Sequence, residues 1–224
     1  QEMDFEVHTS NSFPHSSGIA SSASGMSALA LCMMSIKKDL GLSIDDFFQE
    51  ASNASRLGSG SGSRSVYGPL AAWGKHAEIE GSHDEFAVPF VDVADVFKTF
   101  QDTILLIDKG EKTVSSSLGH GLMTGHPYAS SRFAQAHENQ SKLLTAMLDA
   151  DLERFGAIVE SEALTLHGMM MTSMPYFILM KPNTLEVINR IWAFREATKN
   201  PVYFTLDAGA TVHVLYPESH KEVI

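Results

Sequence analysis

The sequence has 224 residues, 44% of them hydrophobic, and a formal net charge of −11 from 16 Lys+Arg against 27 Asp+Glu. This excludes a disordered tail or a fibre and argues against a broad nucleic-acid surface, while leaving room for a local cationic pocket that takes an anionic metabolite. No apolar run approaches the ~20 residues of a membrane helix. The acidic, polar start reads without a signal peptide, and a single cysteine, Cys32, excludes an intramolecular disulfide and fits a reducing compartment.

In chain order, residues 5–10 are expected as a strand, followed by a small polar loop up to Gly18. The spacing of Leu29, Met33, Ile36 and Leu40 predicts a helix over 20–40, stopped by Gly41. Ser43 and Asp46 are spaced as a capping box, with Asp in place of Glu, and predict a short helix over 47–56. Residues 58–65 are almost pure Gly and Ser, and Val66-Tyr67 and Ala71-Ala72-Trp73 read as short strands. Further on, a helix is expected over 92–100, a buried strand over 103–107, a turn over 108–112 and extended chain at Thr113-Val114. Two long helices are expected over 130–148 and 152–171, and a third with Pro182 at its first position, reaching Thr198. A strand over 202–206, a tight turn over 207–210 and a strand over 212–216 complete the pattern. The abrupt ends suggest a piece of a longer protein. Strands and helices mix without strict alternation, which predicts an α+β fold in two lobes, 1–101 and 102–224.

Three segments carry candidate chemistry. Pro14-His15-Ser16-Ser17-Gly18-Ile19-Ala20-Ser21-Ser22-Ala23 is a loop of small residues feeding a helix N-terminus, where unpaired N–H groups and the helix dipole favour phosphate. On composition alone a serine-rich cap on an ordinary helix is the readier reading, since Gly/Ser loops before helices are common, and it is not a Walker loop. Arg56-Leu57-Gly58-Ser59-Gly60-Ser61-Gly62-Ser63-Arg64-Ser65 is either a flexible linker or a close-fitting loop whose hydroxyls meet an anion, with Arg64 offering a planar fork to a carboxylate or phosphate. Thr205-Leu206-Asp207-Ala208-Gly209-Ala210 puts a carboxylate at a strand end, where it is either a rigidly held catalytic group or the start of a hairpin turn.

The order of residues in the first segment resembles the phosphate loop of the GHMP small-molecule kinase superfamily. The second resembles the substrate loop of its mevalonate diphosphate decarboxylase branch. The third resembles that branch's signature around a catalytic aspartate, with Ala210-Thr211 where the family continues Pro-Asn. A fourth segment, Lys112-Thr113-Val114-Ser115-Ser116-Ser117, resembles the family's Val-Ser-Ser stretch, with Ser117 where some members have Arg. The matches run from residue 11 to residue 216 in family order; the family's early Lys-Tyr-Trp-Gly-Lys strand and its last helix and strand have no counterpart.

The resemblance implies a two-lobed GHMP kinase-like fold with an incomplete N-terminal lobe. It implies ATP-dependent decarboxylation of (R)-5-diphosphomevalonate to isopentenyl diphosphate, CO2, ADP and phosphate, with ATP and Mg2+, by a cytoplasmic homodimer with no nucleic-acid or membrane partner. Ser16, Ser17, Gly18, Ile19, Ala20, Ser21 and Ser22 would hold ATP phosphates. Asp207 would act as base, Arg64 would hold the substrate carboxylate, and Ser59, Ser61 and Ser116 would contact the substrate. A sister 3-kinase, a phosphomevalonate decarboxylase and a non-catalytic fragment of the fold are the alternatives.

Other residues point to packing. No metal ligands are assigned, since no His pair at i,i+4 converges with a third ligand. Met169, Met170, Met171 and Met174 read as adaptable core or interface packing, and Cys32 as a small buried hydrophobe.

Overall fold

The computed structural model describes residues 4–13, 19–107, 119, 121–207 and 209–224. The chain divides into two compact units, Gln1–Pro89 and Phe90–Ile224.

The first unit contains α1 (Ser21–Asp39), α2 (Phe47–Gly58), a 3-10 segment (Gly60–Val66), and the antiparallel pair β1 (Ala71–Trp73) and β2 (Ala87–Pro89). Helix α1 spans the expected residues but buries a different face. Ala23, Ser27 and Ala30 are buried at i, i+4 and i+7, while Met33, Ile36 and Leu40 are exposed. Small residues let α2 and the 3-10 segment approach closely, and Ala30, Ala51 and Val66 form the local core. The cap of α2 is Asp46 rather than Ser43: the Asp46 carboxylate accepts from Gln49 N at 2.9 Å. Residues 5–10 form no strand, and Phe5 and Val7 are exposed. They have no ladder partner among the described residues, and an extended segment gains little without one. Val66 ends the 3-10 segment and Tyr67 caps it, so neither lies in a strand.

The second unit holds α3 (Asp95–Lys98), β3 (Gln101–Leu105), α4 (Ala129–Leu148), α5 (Leu152–Met171), α6 (Pro182–Thr198), β4 (Tyr203–Leu206) and β5 (Val212–Tyr216). The three strands form an antiparallel sheet in the order β3-β5-β4. Its core joins Phe204, Leu206, Val212 and Val214 to Ile188 and Ile191 of α6 and Ala163 of α5. The long helices, β4 and β5 match expectation closely; within the turn expected over 207–210, residue 208 lies outside the described residues. Two elements differ: the helix expected over 92–100 forms only at Asp95–Lys98, and β3 is a sheet edge with Asp102 and Thr103 exposed, not a buried strand. The turn expected over 108–112 and the extended Thr113-Val114 lie outside the described residues.

Helix α5 lies so close to β4 that a Cβ on Gly156 would sit 1.9 Å from Cδ1 of Tyr203. Beside this contact Glu160 accepts from Arg195 at 2.6 and 3.1 Å and from the Trp192 indole at 2.9 Å, and Arg195 also donates to Val202 O at 2.8 Å. The Arg195 guanidinium lies 5.1 Å over the Tyr203 ring. Among the described residues no helix is long and apolar enough to cross a membrane.

Candidate functional site

In the first unit, Ser16, Ser17 and Gly18 lie outside the described residues, and Ile19, Ala20, Ser21 and Ser22 are described. Ala20 takes a left-handed conformation, φ 52° and ψ 40°, at the cap of α1. A non-glycine residue there is strained, and such strain collects at functional turns. Ala20 offers no side-chain oxygen to the first-turn N–H groups, and that turn holds no acidic residue. This is the end of a helix that suits an anion.

The Gly-Ser run is a folded 3-10 segment, which excludes a flexible linker. Gly62 and Ser63 are buried. Ser63 Oγ donates to Gly60 O at 2.9 Å, Ser52 Oγ donates to Ser63 O at 2.8 Å, and Ser52 Oγ accepts from Ala87 N at 2.8 Å. A Cβ on Gly62 would meet Ser55 Oγ at 2.6 Å and Ala23 O at 3.3 Å, so glycine is needed for the close approach. The two bracketing arginines differ. Arg56 donates to Glu85 O at 2.7 Å and to Asn53 Oδ1 at 3.1 Å, a structural role. Arg64 is exposed and makes no side-chain hydrogen bond or ion pair among the described residues. Ser59 and Ser61 are half-buried, and Ser59 Oγ lies 3.3 Å from Ser22 Oγ, so the start of α1 and the Gly-Ser segment meet.

In the second unit, Asp207 is half-buried at the end of β4, where the expected turn leads into β5. Its carbonyl accepts from Gly209 N at 2.7 Å and from His167 Nε2 at 3.1 Å. At the other end of the turn Thr184 Oγ1 donates to Ala210 O at 2.9 Å while accepting from Lys181 N at 3.1 Å. His167 on α5 is buried, and that burial pushes its pKa below the ordinary histidine value, partly offset by its hydrogen bond to Asp207. Its ring is therefore neutral near pH 7, and because its partner is a carbonyl the proton sits on Nε2.

On β5, His213 pairs across the ladder with Thr205, two residues before Asp207. Its Nδ1 lies 3.0 and 3.1 Å from the two Asp102 oxygens, and its buried Nε2 has no partner among the described residues. The hydrogen bond to Asp102 raises the His213 pKa despite burial, with a further contribution from the Asp207 charge. Reading from spacing alone missed His167, Thr184, His213 and Asp102, because their partners lie 26 to 111 residues away in the chain.

Ser116 lies outside the described residues. Cys32 is exposed rather than buried, since it falls outside the Ala23–Ser27–Ala30 face of α1. Met169 and Met170 are buried as expected, whereas Met171 and Met174 are exposed. A largely apolar groove of about 370 Å³ lies on the sheet face opposite His213, lined by Leu105, Val187, Ile191, Val214 and Tyr216 among others, with Arg190 at its edge paired to Glu186. Among the described residues no group of three His, Cys, Asp or Glu could hold a metal ion.

A family profile described as the diphosphomevalonate decarboxylase-like N-terminal domain matches residues 1–87, and one described as the mevalonate 5-diphosphate decarboxylase C-terminal domain matches residues 103–224. Diphosphomevalonate decarboxylase of Eremothecium gossypii is 27% identical over 221 residues, covering 96% of this chain and 53% of the relative. Phosphomevalonate decarboxylase of Haloferax volcanii is 25% identical over 216 residues, covering 96% of this chain and 63% of the relative. A solved structure described as MDDEF in complex with MVAPP, AMPPCP and magnesium superposes with a TM-score of 0.79 at 31% identity, covering 94% of this chain and 62% of that one. The chain thus spans between half and two thirds of the length of these relatives. The two profiles are the N- and C-terminal domains of one enzyme family, and the fold is that of the GHMP kinase superfamily: the chain belongs to the mevalonate 5-diphosphate decarboxylase family.

Proposed function

We propose that this chain carries the chemistry of ATP-dependent decarboxylation of (R)-5-diphosphomevalonate to isopentenyl diphosphate, CO2, ADP and phosphate. The observation that carries the reading is Asp207, set at the end of β4 where it pairs antiparallel with β5, in a segment that matches the decarboxylase C-terminal domain. The relative in complex with MVAPP, AMPPCP and magnesium supports a need for ATP and Mg2+.

The tertiary 3-hydroxyl is a poor leaving group and is phosphorylated first. Asp207 takes its proton as the oxygen attacks the γ-phosphorus of ATP and ADP departs. Phosphoryl transfer of this kind rests on positioning and charge neutralisation. The start of α1, with Ile19, Ala20, Ser21 and Ser22, holds the nucleotide phosphates together with Ser16, Ser17 and Gly18. Arg64, without a side-chain partner among the described residues, holds the C1 carboxylate through a bidentate fork, and Ser59, Ser61 and Ser116 contact the substrate. The C3–O bond then breaks with its electron pair going to phosphate. The C1–C2 pair moves into a new C2=C3 double bond, and C1 leaves as CO2. A cytoplasmic homodimer is the setting that goes with this reading.

The Haloferax relative favours one alternative, a monophosphate substrate. The test supplies the full polypeptide with ATP, Mg2+ and either (R)-5-diphosphomevalonate or (R)-5-phosphomevalonate, and reads ADP, CO2 and product mass. CO2 and isopentenyl diphosphate from the diphosphate support the proposal. CO2 from the monophosphate alone replaces it with the Haloferax activity, ADP without CO2 makes the protein a 3-kinase, and no ADP with either substrate makes it non-catalytic.

A further inference from the structure

We propose that His167 and Thr184 are positioning residues for Asp207, holding the link between β4 and β5 at Asp207 and at Ala210 from two helices so that the carboxylate stays in line with the hydroxyl it deprotonates. The inference rests on the reading of Asp207 as the base.

The link between β4 and β5 includes Asp207, Gly209 and Ala210, and no proline stands in it to hold its shape. Its two ends are fixed from outside instead. His167 on α5 binds the Asp207 carbonyl at 3.1 Å, and Thr184 in the first turn of α6 binds the Ala210 carbonyl at 2.9 Å. Both side chains are essentially sequestered, at 2% and 0% exposure. Burying an imidazole and a hydroxyl is unfavourable unless their hydrogen bonds are made, and here those bonds go to the turn that carries the base. Thr184 also accepts from Lys181 N, which ties the turn to the start of α6. A catalytic group displaced by about 1 Å loses roughly 10²-fold in rate, so a turn left to relax is a direct kinetic liability.

The test uses the full polypeptide and measures kcat, the KM for ATP and for the mevalonate substrate, and melting temperature. His167→Leu and Thr184→Val remove the donors at similar volume. Each should lower kcat by about 10- to 100-fold with both KM values within about threefold. His167→Gln and Thr184→Ser retain a donor and should bring kcat back to within about tenfold of the parent. In an Asp207→Asn background His167→Leu should cause no further loss, because a residue acting through the base has nothing left to position. Losses that add fully on top of Asp207→Asn, or parent turnover in both donor-less variants, overturn the proposal. Parent turnover in Asp207→Asn alone overturns the reading of the base instead. If His167→Leu does not fold, the kcat of Thr184→Val and its Ser rescue decide the question by themselves.

Discussion

The hydroxyl oxygens of Ser22 and Ser59 lie 3.3 Å apart, which joins the first turn of α1 to the residue that caps the end of α2. Both belong to segments read as anion-binding, one for nucleotide phosphate and one for substrate. A partly exposed pair of neutral hydroxyls contributes little to folding, whereas a hydroxyl donating to an anion contributes about 1.5–3 kcal/mol to binding. Ser59→Ala is therefore expected to weaken substrate binding by roughly tenfold or more, with the melting temperature almost unchanged. Calorimetric titration and a thermal melt on one sample check this. A lowered melting temperature with unchanged affinity would make the pair purely structural.

Arg64 differs from Arg56 in having no side-chain partner among the described residues, which leaves its guanidinium to a ligand. Arg64→Lys should weaken the mevalonate substrate by about 10- to 150-fold, because an ammonium cannot reproduce a bidentate fork. ATP affinity should change much less, and an analogue without the carboxylate should show little difference between Arg and Lys. Equal losses for substrate and analogue would instead make Arg64 a support for the 3-10 segment.

Elements with strong local signals were legible in the sequence. Pro182 starts α6, and helix α5 and strand β5 fall on the residues their patterns indicate. The faces were less legible. In α1 the large apolar row of Met33, Ile36 and Leu40 suggested the core, but close helix approach selects the smaller Ala23, Ser27 and Ala30. The apolar run at 103–107 likewise concealed an edge strand, since pairing order is a long-range property. Of the candidate site, the motif residues were visible because their order is local. Their supports were not, because His167 and Thr184 declare themselves only when α5 and α6 fold onto the turn.

Gly156 should tolerate no side chain. A Cβ there would overlap the Tyr203 ring, with the nearest atom at 1.9 Å, and Tyr203 is itself buried against Phe155. Alanine ordinarily stabilises a helix interior by about 1 kcal/mol relative to glycine. Gly156→Ala is expected to do the opposite and destabilise by about 1–3 kcal/mol through overpacking. Urea titration of the variant reads the sign directly, and a stabilised protein would show that α5 can move off β4 without loss.

Glu160 is held by three donors from α6, and removing it leaves Arg195 with a half-buried charge and no hydrogen-bonded carboxylate among the described residues. The hydrogen bond to Glu160 holds the Arg195 pKa above its ordinary value. Breaking a buried pair from one side typically costs about 3–5 kcal/mol; Arg195 keeps partial access to water, so about 2–3 kcal/mol is expected for Glu160→Ala. Glu160→Gln keeps acceptor and shape and should lose less. Equal stability of the two variants would mean that the charge of Glu160 contributes nothing.

His213 and Asp102 supply a pH signature on the sheet. The folded-state pKa of His213 is raised above its unfolded value, mainly by the Asp102 hydrogen bond. A raised histidine pKa means that the folded state holds the proton more tightly. The stabilisation is fully present below the unfolded value, about 6.5, and is lost as pH rises through the folded value. His167 acts with the opposite sign, because burial lowers its pKa and its contribution fades as pH falls. Comparing the parent with Asp102→Asn cancels the His167 effect, which both proteins share. The destabilisation caused by Asp102→Asn should therefore be larger at pH 5.5 than at pH 9. Denaturant midpoints at the two values measure it. A stability difference that is the same at both would show that His213 does not take up its proton against Asp102.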